Sequence, residues 1–366
     1  MRVVVVGAGV LGTFHAREGV RRGYDVLQVE RELEGRGASV RNFGLVWVSG
    51  RAPGNELETA LRARELWERV PGIGFRPAGS LTVCRTEDEL AVAKEAASRA
   101  DAAARNFEVL DAEQTRTRNP ALKGDLLGAL WCARDAIVEP RRVLRELRAE
   151  LEKSGRYQFL PGREVREVRT GAVRDDHGEI HAADEIFLCT GAWHSGLIRE
   201  LAGELPLRKV RLQMMQTAPL DEQLTTAVAD ADSFRYYPAY QGAALDALKQ
   251  TPQATVAADN AMQLLMVQRA DGGLTIGDTH EYAEPFGFDV QSDPYDYLRT
   301  TVESLLGRPL PPIVRRWAGV YSQATDGGVV VRRTVDRNVT LVTGPGGRGM
   351  TMAPAIAETS YQEAGL

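Results

Sequence analysis

Residues 1–16 read MRVVVVGAGVLGTFHA, in which the valines Val3 to Val6 run straight into Gly7, Gly9 and Gly12. A continuous β-branched run reads as a strand buried on both faces. The G-x-G-x-x-G spacing that follows it opens a helix. In such a unit the first glycine permits a tight turn, the second lets backbone N–H groups approach a pyrophosphate, and the third lets helix and strand pack closely. Val10 and Leu11 fall between the second and third glycines, at the positive end of the helix dipole. The stretch YDVLQVER then reads as a second strand ending in Glu30, about 20 residues beyond the glycines. An acid there accepts hydrogen bonds from a ribose, although a solvated strand-end acid has the same local signature. The expected fold class is therefore α/β, with a Rossmann-like nucleotide domain.

Composition sets the bounds around this unit. With 366 residues, 43% hydrophobic and 26% charged, the chain is globular and long enough for two domains. A net charge of −5 offers no basic footprint for nucleic acid. Cys84, Cys132 and Cys189 are too few and too scattered for a disulfide framework or a zinc cluster, and no metal site is expected. The nucleotide strand starts at once, which leaves no room for a secretory leader, and no apolar run reaches membrane-spanning length. A cytoplasmic protein is the expectation.

Helices are expected at residues 55–70 from the apolar spacing of Leu57, Leu61, Trp67 and Val70, and from residue 86 from the Thr86/Glu89 capping-box spacing. A third runs from Pro140 to before Gly155. Residues 157–193 read as strands that return to the nucleotide domain and end in Thr190, Gly191 and Ala192. From about residue 209 to 318 the pattern is an antiparallel sheet with flanking helices, in which FRYYPAY (234–240) also has the look of a strand. The last segment, VTLVTGPGGRGMTMAPAIAET, is again strand, glycine loop and helix. A nicotinamide cofactor needs one glycine loop, whereas FAD lies extended and its flavin must be held far from its adenosine. Gly346, Gly347 and Gly349 suit that second need, with the following helix, through Met350 and Thr351, directing its positive end at the site. A tight loop made for packing is the alternative.

In order along the chain, VVVVGAGVLG, LCTGAW, DGG (326–328) and TGPGGRGMTMAP resemble the FAD-dependent oxidoreductases of the glycine oxidase, sarcosine oxidase and D-amino acid oxidase superfamily, over essentially the whole length. SVRNFGLVW, FRYYPAY, VQRADGGLTIGDTHEY and GPGGRGMT resemble more narrowly a bacterial branch associated with phosphonate catabolism and proposed to oxidise an aminophosphonate. The resemblance implies oxidation of a carbon–nitrogen bond in a small amine, with electrons passing to flavin and often on to O2. It implies that Gly7, Gly9 and Gly12 hold the pyrophosphate, Glu30 the ribose, and Arg31 and the Val165 main chain the adenine. Ser39, Arg41, Asn42, Gly44 and Leu45 match a loop that follows the cofactor toward the flavin, and Thr190, Gly191 and Trp193 match an element near it. Gly319 stands where sarcosine oxidases carry a flavin-linking cysteine, so noncovalent FAD is expected. The family's Thr-Pro-Asp-Gly is here ATDGG, which implies a less rigid loop at Asp326.

Oxidation of a neutral amine demands orientation of its C–H bond and an unprotonated nitrogen rather than a strong base. A cation near the flavin serves both ends, lowering the ammonium pKa and holding an anionic substrate. Arg348, inside the second glycine loop, is the first candidate, with stabilisation of reduced flavin or loop closure through a carboxylate such as Asp326 as competing roles. Trp47, Tyr236, Tyr240 and His280 are further candidates for the substrate site, each with an ordinary packing role as the alternative. The expected division is an FAD-binding domain of residues 1–80, 133–208 and 312–366 and a substrate domain of residues 81–132 and 209–311. An NAD(P)-dependent dehydrogenase leaves the second glycine loop unexplained, and a flavin-binding protein without turnover is the third reading.

Overall fold

The computed structural model describes residues 1–366. A six-stranded sheet runs in the order Val331–Asp336, Val339–Thr343, Glu185–Leu188, Arg2–Val6, Asp25–Glu30 and Tyr157–Pro161. It is parallel except for the hairpin at residues 331–343. Arg2–Val6 lies at its centre between Asp25–Glu30 and Glu185–Leu188, which explains the unbroken valines: both faces of that strand are covered. Helix Val10–Arg21 packs on one face with helices Pro140–Glu152 and Gly349–Glu363. Gly7 takes φ +104°, and a Cβ on Gly12 would lie 2.0 Å from Gly7 O, so the turn and the close helix–strand approach both require glycine.

The C-terminal helix solves a local problem with a side chain from elsewhere. Pro354 has no N–H to offer Met350 O one turn earlier. Buried Trp67, from helix Asn55–Glu68, points its Nε1 at that carbonyl (3.0 Å) and at Thr351 O (3.1 Å). The orphan acceptor is satisfied, and the start of the helix after the second glycine loop is fixed.

The second layer is an eight-stranded sheet in the order Ile313–Ala324, Leu207–Pro219, Gly273–Gly277, Leu265–Gln268, Ala227–Ala229, Ser80–Cys84, Gly128–Cys132 and Phe107–Asp111. It is antiparallel but for one parallel pair, Ala227–Ala229 with Ser80–Cys84. Helix Ser292–Leu306 packs under it through Tyr295, Leu298, Val302 and Leu305. Strand Ile313–Ala324 pairs along its length with Leu207–Pro219, so it belongs to this sheet and not to the nucleotide domain, as the expected boundary at 312 had it. Its own residues do not say which sheet it joins; the pairing decides. FRYYPAY is likewise not a strand: Asp232–Tyr236 is a short helix and Pro238–Tyr240 a 3-10 turn. The helix expected from Thr86 has its capping box but stops at Ala97, before a separate short helix at Ala102–Arg105. No helix is long and apolar enough to cross a membrane.

Candidate active site

A single cavity of about 1370 Å³ reaches from the first glycine loop to the second, with Gly7 and Gly9 lining one end and Gly346, Gly347 and Gly349 the other. It exceeds the roughly 300–1,000 Å³ of ordinary small-ligand pockets, and an extended ligand suits it better than a compact one. Of the candidate residues, Gly12, Gly44 and Tyr240 do not line it; all the others do. Gly12 acts through packing, as described above. Gly44 sits at φ +70° with Val138 O 2.0 Å from where a Cβ would stand, so it too shapes the loop from behind. Tyr240 is 1% exposed, edge-on to Phe234 (4.8 Å between centroids) and beside Phe107, which corrects its assignment to the substrate site. Its turn directs the ring into the core.

At the first loop, Ala8 N–H donates to Glu30 Oε2 (2.7 Å) and Val10 N–H donates to Ser39 Oγ (2.9 Å). Glu30 is thereby fixed at the end of its strand with its carboxylate on the cavity. A Cβ on Gly9 would come within 3.2 Å of Ser39 Oγ and occupy the cradle in front of the helix start. A pyrophosphate fits this end: a helix N-terminus, open backbone in front of it and an acid beside it that can accept further hydrogen bonds. The Arg31 guanidinium lies 4.3 Å over the Trp193 ring, forming a flat surface at the rim, and Thr190 Oγ1 donates to Trp193 O (3.1 Å). Val165 is buried against the same end.

The stretch from Ser39 to Leu45 links the two ends. Asn42 Nδ2 donates to Ala38 O (2.9 Å) and Ser39 O (3.0 Å), while its Oδ1 accepts from Gly44 N–H (2.7 Å). Arg41 Nη1 donates to Ala318 O (3.1 Å), next to Gly319, and so ties this loop to the eight-stranded sheet.

At the second loop, Arg348 donates through Nε to Pro345 O (3.0 Å), through Nη1 to Glu56 Oε2 (3.0 Å) and through Nη2 to Gly328 O (3.1 Å). Its carboxylate partner is Glu56, not Asp326, which instead accepts from Gly328 N–H (3.0 Å). Glu56 also faces Arg51, whose Nη1 lies 3.7 Å away. One carboxylate between two guanidiniums leaves a single net positive charge in a largely buried cluster on the cavity wall. Arg51 is 4% exposed, donates through Nε to Trp47 O (2.8 Å) and lies 5.7 Å over the Tyr237 ring.

The backbone under Arg51 is held by side chains far from it in sequence. Asp135 Oδ1 accepts from Val48 N–H (2.5 Å) and Ser49 N–H (3.0 Å), and its Oδ2 accepts from Ser80 Oγ (2.6 Å). Buried Arg105 donates to the carbonyls of Val48, Ser49 and Arg51. Sequence reasoning missed Arg51 and Glu56. The one local signal is an arginine between Gly50 and Pro53, where no periodic pattern explains it.

Aromatic rings cover this part of the cavity. The Trp47 and Tyr237 rings are 6.0 Å apart, and Tyr236 stacks on His280 at 4.3 Å. Burial pushes the His280 imidazole down to about 4, so it is neutral at ordinary pH; its Nδ1 donates to Ala261 O (2.9 Å). The Trp47 main-chain N–H donates to Thr351 Oγ1 (2.9 Å), joining this wall to the helix after the second glycine loop.

Comparison with known proteins agrees with this architecture. The chain is 28% identical over 345 residues to the glycine oxidase of Pseudomonas aeruginosa, covering 89% of this chain and 84% of that one. It is 24% identical over 287 residues to a subunit of the opine oxidase of Rhizobium meliloti, covering 73% and 76%. Among solved structures, glycine oxidase from Bacillus cereus superposes with a TM-score of 0.79 at 17% identity, over 98% of this chain and 95% of that one. L-proline dehydrogenase from P. horikoshii gives 0.80 at 20% identity, over 99% and 93%. The model of the DAO family, described as FAD dependent oxidoreductase, matches residues 2–361. With both glycine loops opening on one cavity and that match spanning nearly every residue, the chain belongs to the DAO family of FAD-dependent oxidoreductases and is a flavin enzyme.

Proposed function

We propose that the enzyme oxidises the carbon–nitrogen bond of a small amine that carries a carboxylate or phosphonate. The observation that carries this reading is the buried Arg51–Glu56–Arg348 cluster, whose unbalanced positive charge lines the cavity at the second glycine loop. A desolvated guanidinium binds an anion through charge-assisted hydrogen bonds, and its planar fork matches paired oxygens. The names of the relatives support the amine: a glycine oxidase and an opine oxidase by sequence, and an iminodiacetate oxidase of the same fold. The resemblance to the phosphonate-associated branch keeps an aminophosphonate within the class.

In this reading Gly7, Gly9 and Glu30 hold the pyrophosphate and ribose of FAD, Arg31, Val165 and Trp193 its adenosine side, and Gly346 to Thr351 its flavin side. FAD supplies the acceptor for a hydride from the substrate's α-carbon. Arg51 holds the anionic group, while Arg348 closes the loop and adds its charge to the cluster. Trp47, Tyr236, Tyr237 and His280 exclude water and fix the orientation of the C–H bond. The resulting imine hydrolyses in water, and O2 is the proposed terminal electron acceptor.

An anaerobic amine panel tests this. Short amines with a carboxylate or phosphonate are expected to bleach the flavin absorbance, and neutral amines of equal size are not. Equal bleaching by both sets would overturn the assignment of the anionic group.

A further inference from the structure

One wall of the cavity carries an acidic side chain with no cationic partner in the protein. Asp278 follows strand Gly273–Gly277, is 6% exposed, and lines the cavity together with Gln263 and His280. Its main chain is fixed by Asp278 N–H donating to Gln263 O (3.0 Å). Its side-chain Oδ1 is buried without a hydrogen-bond partner, and so is Gln263 Oε1. The one basic nitrogen within 4.0 Å is His280 Nε2, at 3.9 Å from Oδ2. That imidazole is neutral and donates through Nδ1 to Ala261 O, which makes Nε2 an acceptor.

The other titratable groups facing Asp278 are the phenols of Tyr236, Tyr237, Tyr282 and Tyr321, all kept neutral by burial. Gln263 Nε2 donates to Tyr237 Oη (3.1 Å), and the Tyr237 ring in turn lies under the Arg51 guanidinium. Two buried oxygens without partners, Asp278 Oδ1 and Gln263 Oε1, therefore stand near Tyr237, whose ring also meets the arginine cluster. Buried acceptors left unpaired are costly, and a ligand presenting several N–H groups would satisfy them.

We propose that Asp278, with Gln263 beside it, seats the substrate's amino group and takes the proton that an ammonium must lose before its α-carbon is oxidised. This rests on the anionic-amine reading above and adds the recognition of the other end of the molecule. In the transfer an ammonium N–H bond breaks, its electron pair stays on nitrogen, and an O–H bond forms on Asp278. The ion pair becomes a neutral amine beside a neutral acid, which a buried site favours. Burial already pushes the Asp278 carboxyl up to about 8.

The proton balance of binding follows. Below about pH 8 the empty pocket holds a neutral Asp278, and an incoming ammonium brings a second proton where the pair keeps one. One proton is released to solvent. Above that pH Asp278 is already ionised and none is released. Apparent affinity for the ammonium form therefore rises about tenfold per pH unit up to about pH 8 and then levels.

The test uses the FAD-loaded protein with 2-aminoisobutyrate, which has no α-hydrogen to lose, and with isobutyrate, which lacks the amine. Calorimetry at pH 6.5 in two buffers of different ionisation enthalpy should show about one proton released for 2-aminoisobutyrate and none for isobutyrate. The affinity for 2-aminoisobutyrate should improve about 15-fold between pH 6.5 and 8, where Asp278 is half ionised. Asp278→Asn should abolish both the release and the pH dependence while leaving isobutyrate binding within about twofold. If that variant does not fold, the wild-type proton count decides alone. Binding of 2-aminoisobutyrate without proton release, or release that persists in Asp278→Asn, overturns the role of Asp278 and leaves the substrate class standing. Failure of both compounds to bind overturns the anionic-amine reading itself.

Discussion

Replacing Arg51 by Met removes the guanidinium while keeping an unbranched apolar stem over the Tyr237 ring. The cluster then falls from one net positive charge to none, because Glu56 and Arg348 remain as a balanced pair. A charge-assisted hydrogen bond is worth about 1.5–3 kcal/mol, so KM for an anionic amine should rise by roughly one to two decades. The loop loses the Arg51 Nε bond to Trp47 O, while Asp135 and Arg105 still hold the backbone groups of residues 48, 49 and 51. Melting temperature is therefore expected to fall modestly, equally with or without an anionic amine, and FAD content to change little. Glu56→Gln acts in the opposite direction: it retains a side-chain acceptor, raises the cluster to two positive charges and should lower KM for the same amine. Arg348→Met is different again, because that side chain also ties Pro345 and Gly328 together, and it should lower thermal stability and FAD retention as well as anion affinity. Steady-state kinetics with matched anionic and neutral amines read all three. Equal losses for both amines in Arg51→Met would refute the reasoning, as would a Glu56→Gln enzyme whose KM for the anionic amine rises.

Gly9→Val should give mainly apoprotein, seen as loss of flavin absorbance per protein, because a side chain there fills the cradle before the helix start. Gly12→Ala should lower both FAD content and melting temperature, since its Cβ has Gly7 O only 2.0 Å away. Acid precipitation should leave the flavin in the supernatant; flavin retained on the pellet would contradict the inference drawn from Gly319. Thermal stability should rise with pH from about 4 to 6.5 through His15 and His280, which burial lowers to about 4, so that there the unfolded chain binds the extra protons. Over about pH 4 to 8 the opposite contribution comes from Asp278, Asp230 and Glu185, raised by burial to about 8, about 8 and about 7, because the native state then holds more protons. Between pH 6.5 and 8 only the second contribution acts, and the melting temperature should fall as pH rises, less steeply in Asp278→Asn.

The glycine loops were legible because their signals are local. A turn that needs φ > 0, a helix start and a strand-end acid all fall within about 25 residues of one another. The cation cluster was not, because Glu56 and Arg348 are 292 residues apart and meet only when the last helix docks on Asn55–Glu68. FRYYPAY misled because aromatic residues buried on several sides of a short helix and turn have the composition of a strand without its geometry. Strand Ile313–Ala324 could not be assigned to a sheet from its own residues, since partner choice is a property of Leu207–Pro219 as much as of itself. Asp278 carried no sequence signal either. Its importance comes from the missing partner of one oxygen.

The support beneath residues 47–51 bears on how this scaffold diversifies. Asp135 and Arg105 grip peptide groups, which every residue type shares, and leave the side chain at position 51 unconstrained by that grip. Exchange at position 51, the proposed anchor of the substrate's acidic group, therefore costs the turn that presents it only the bond to Trp47 O. Selectivity is expected to drift faster here than coenzyme binding, whose Gly7 and Gly12 stand against backbone oxygens that leave no room for a Cβ.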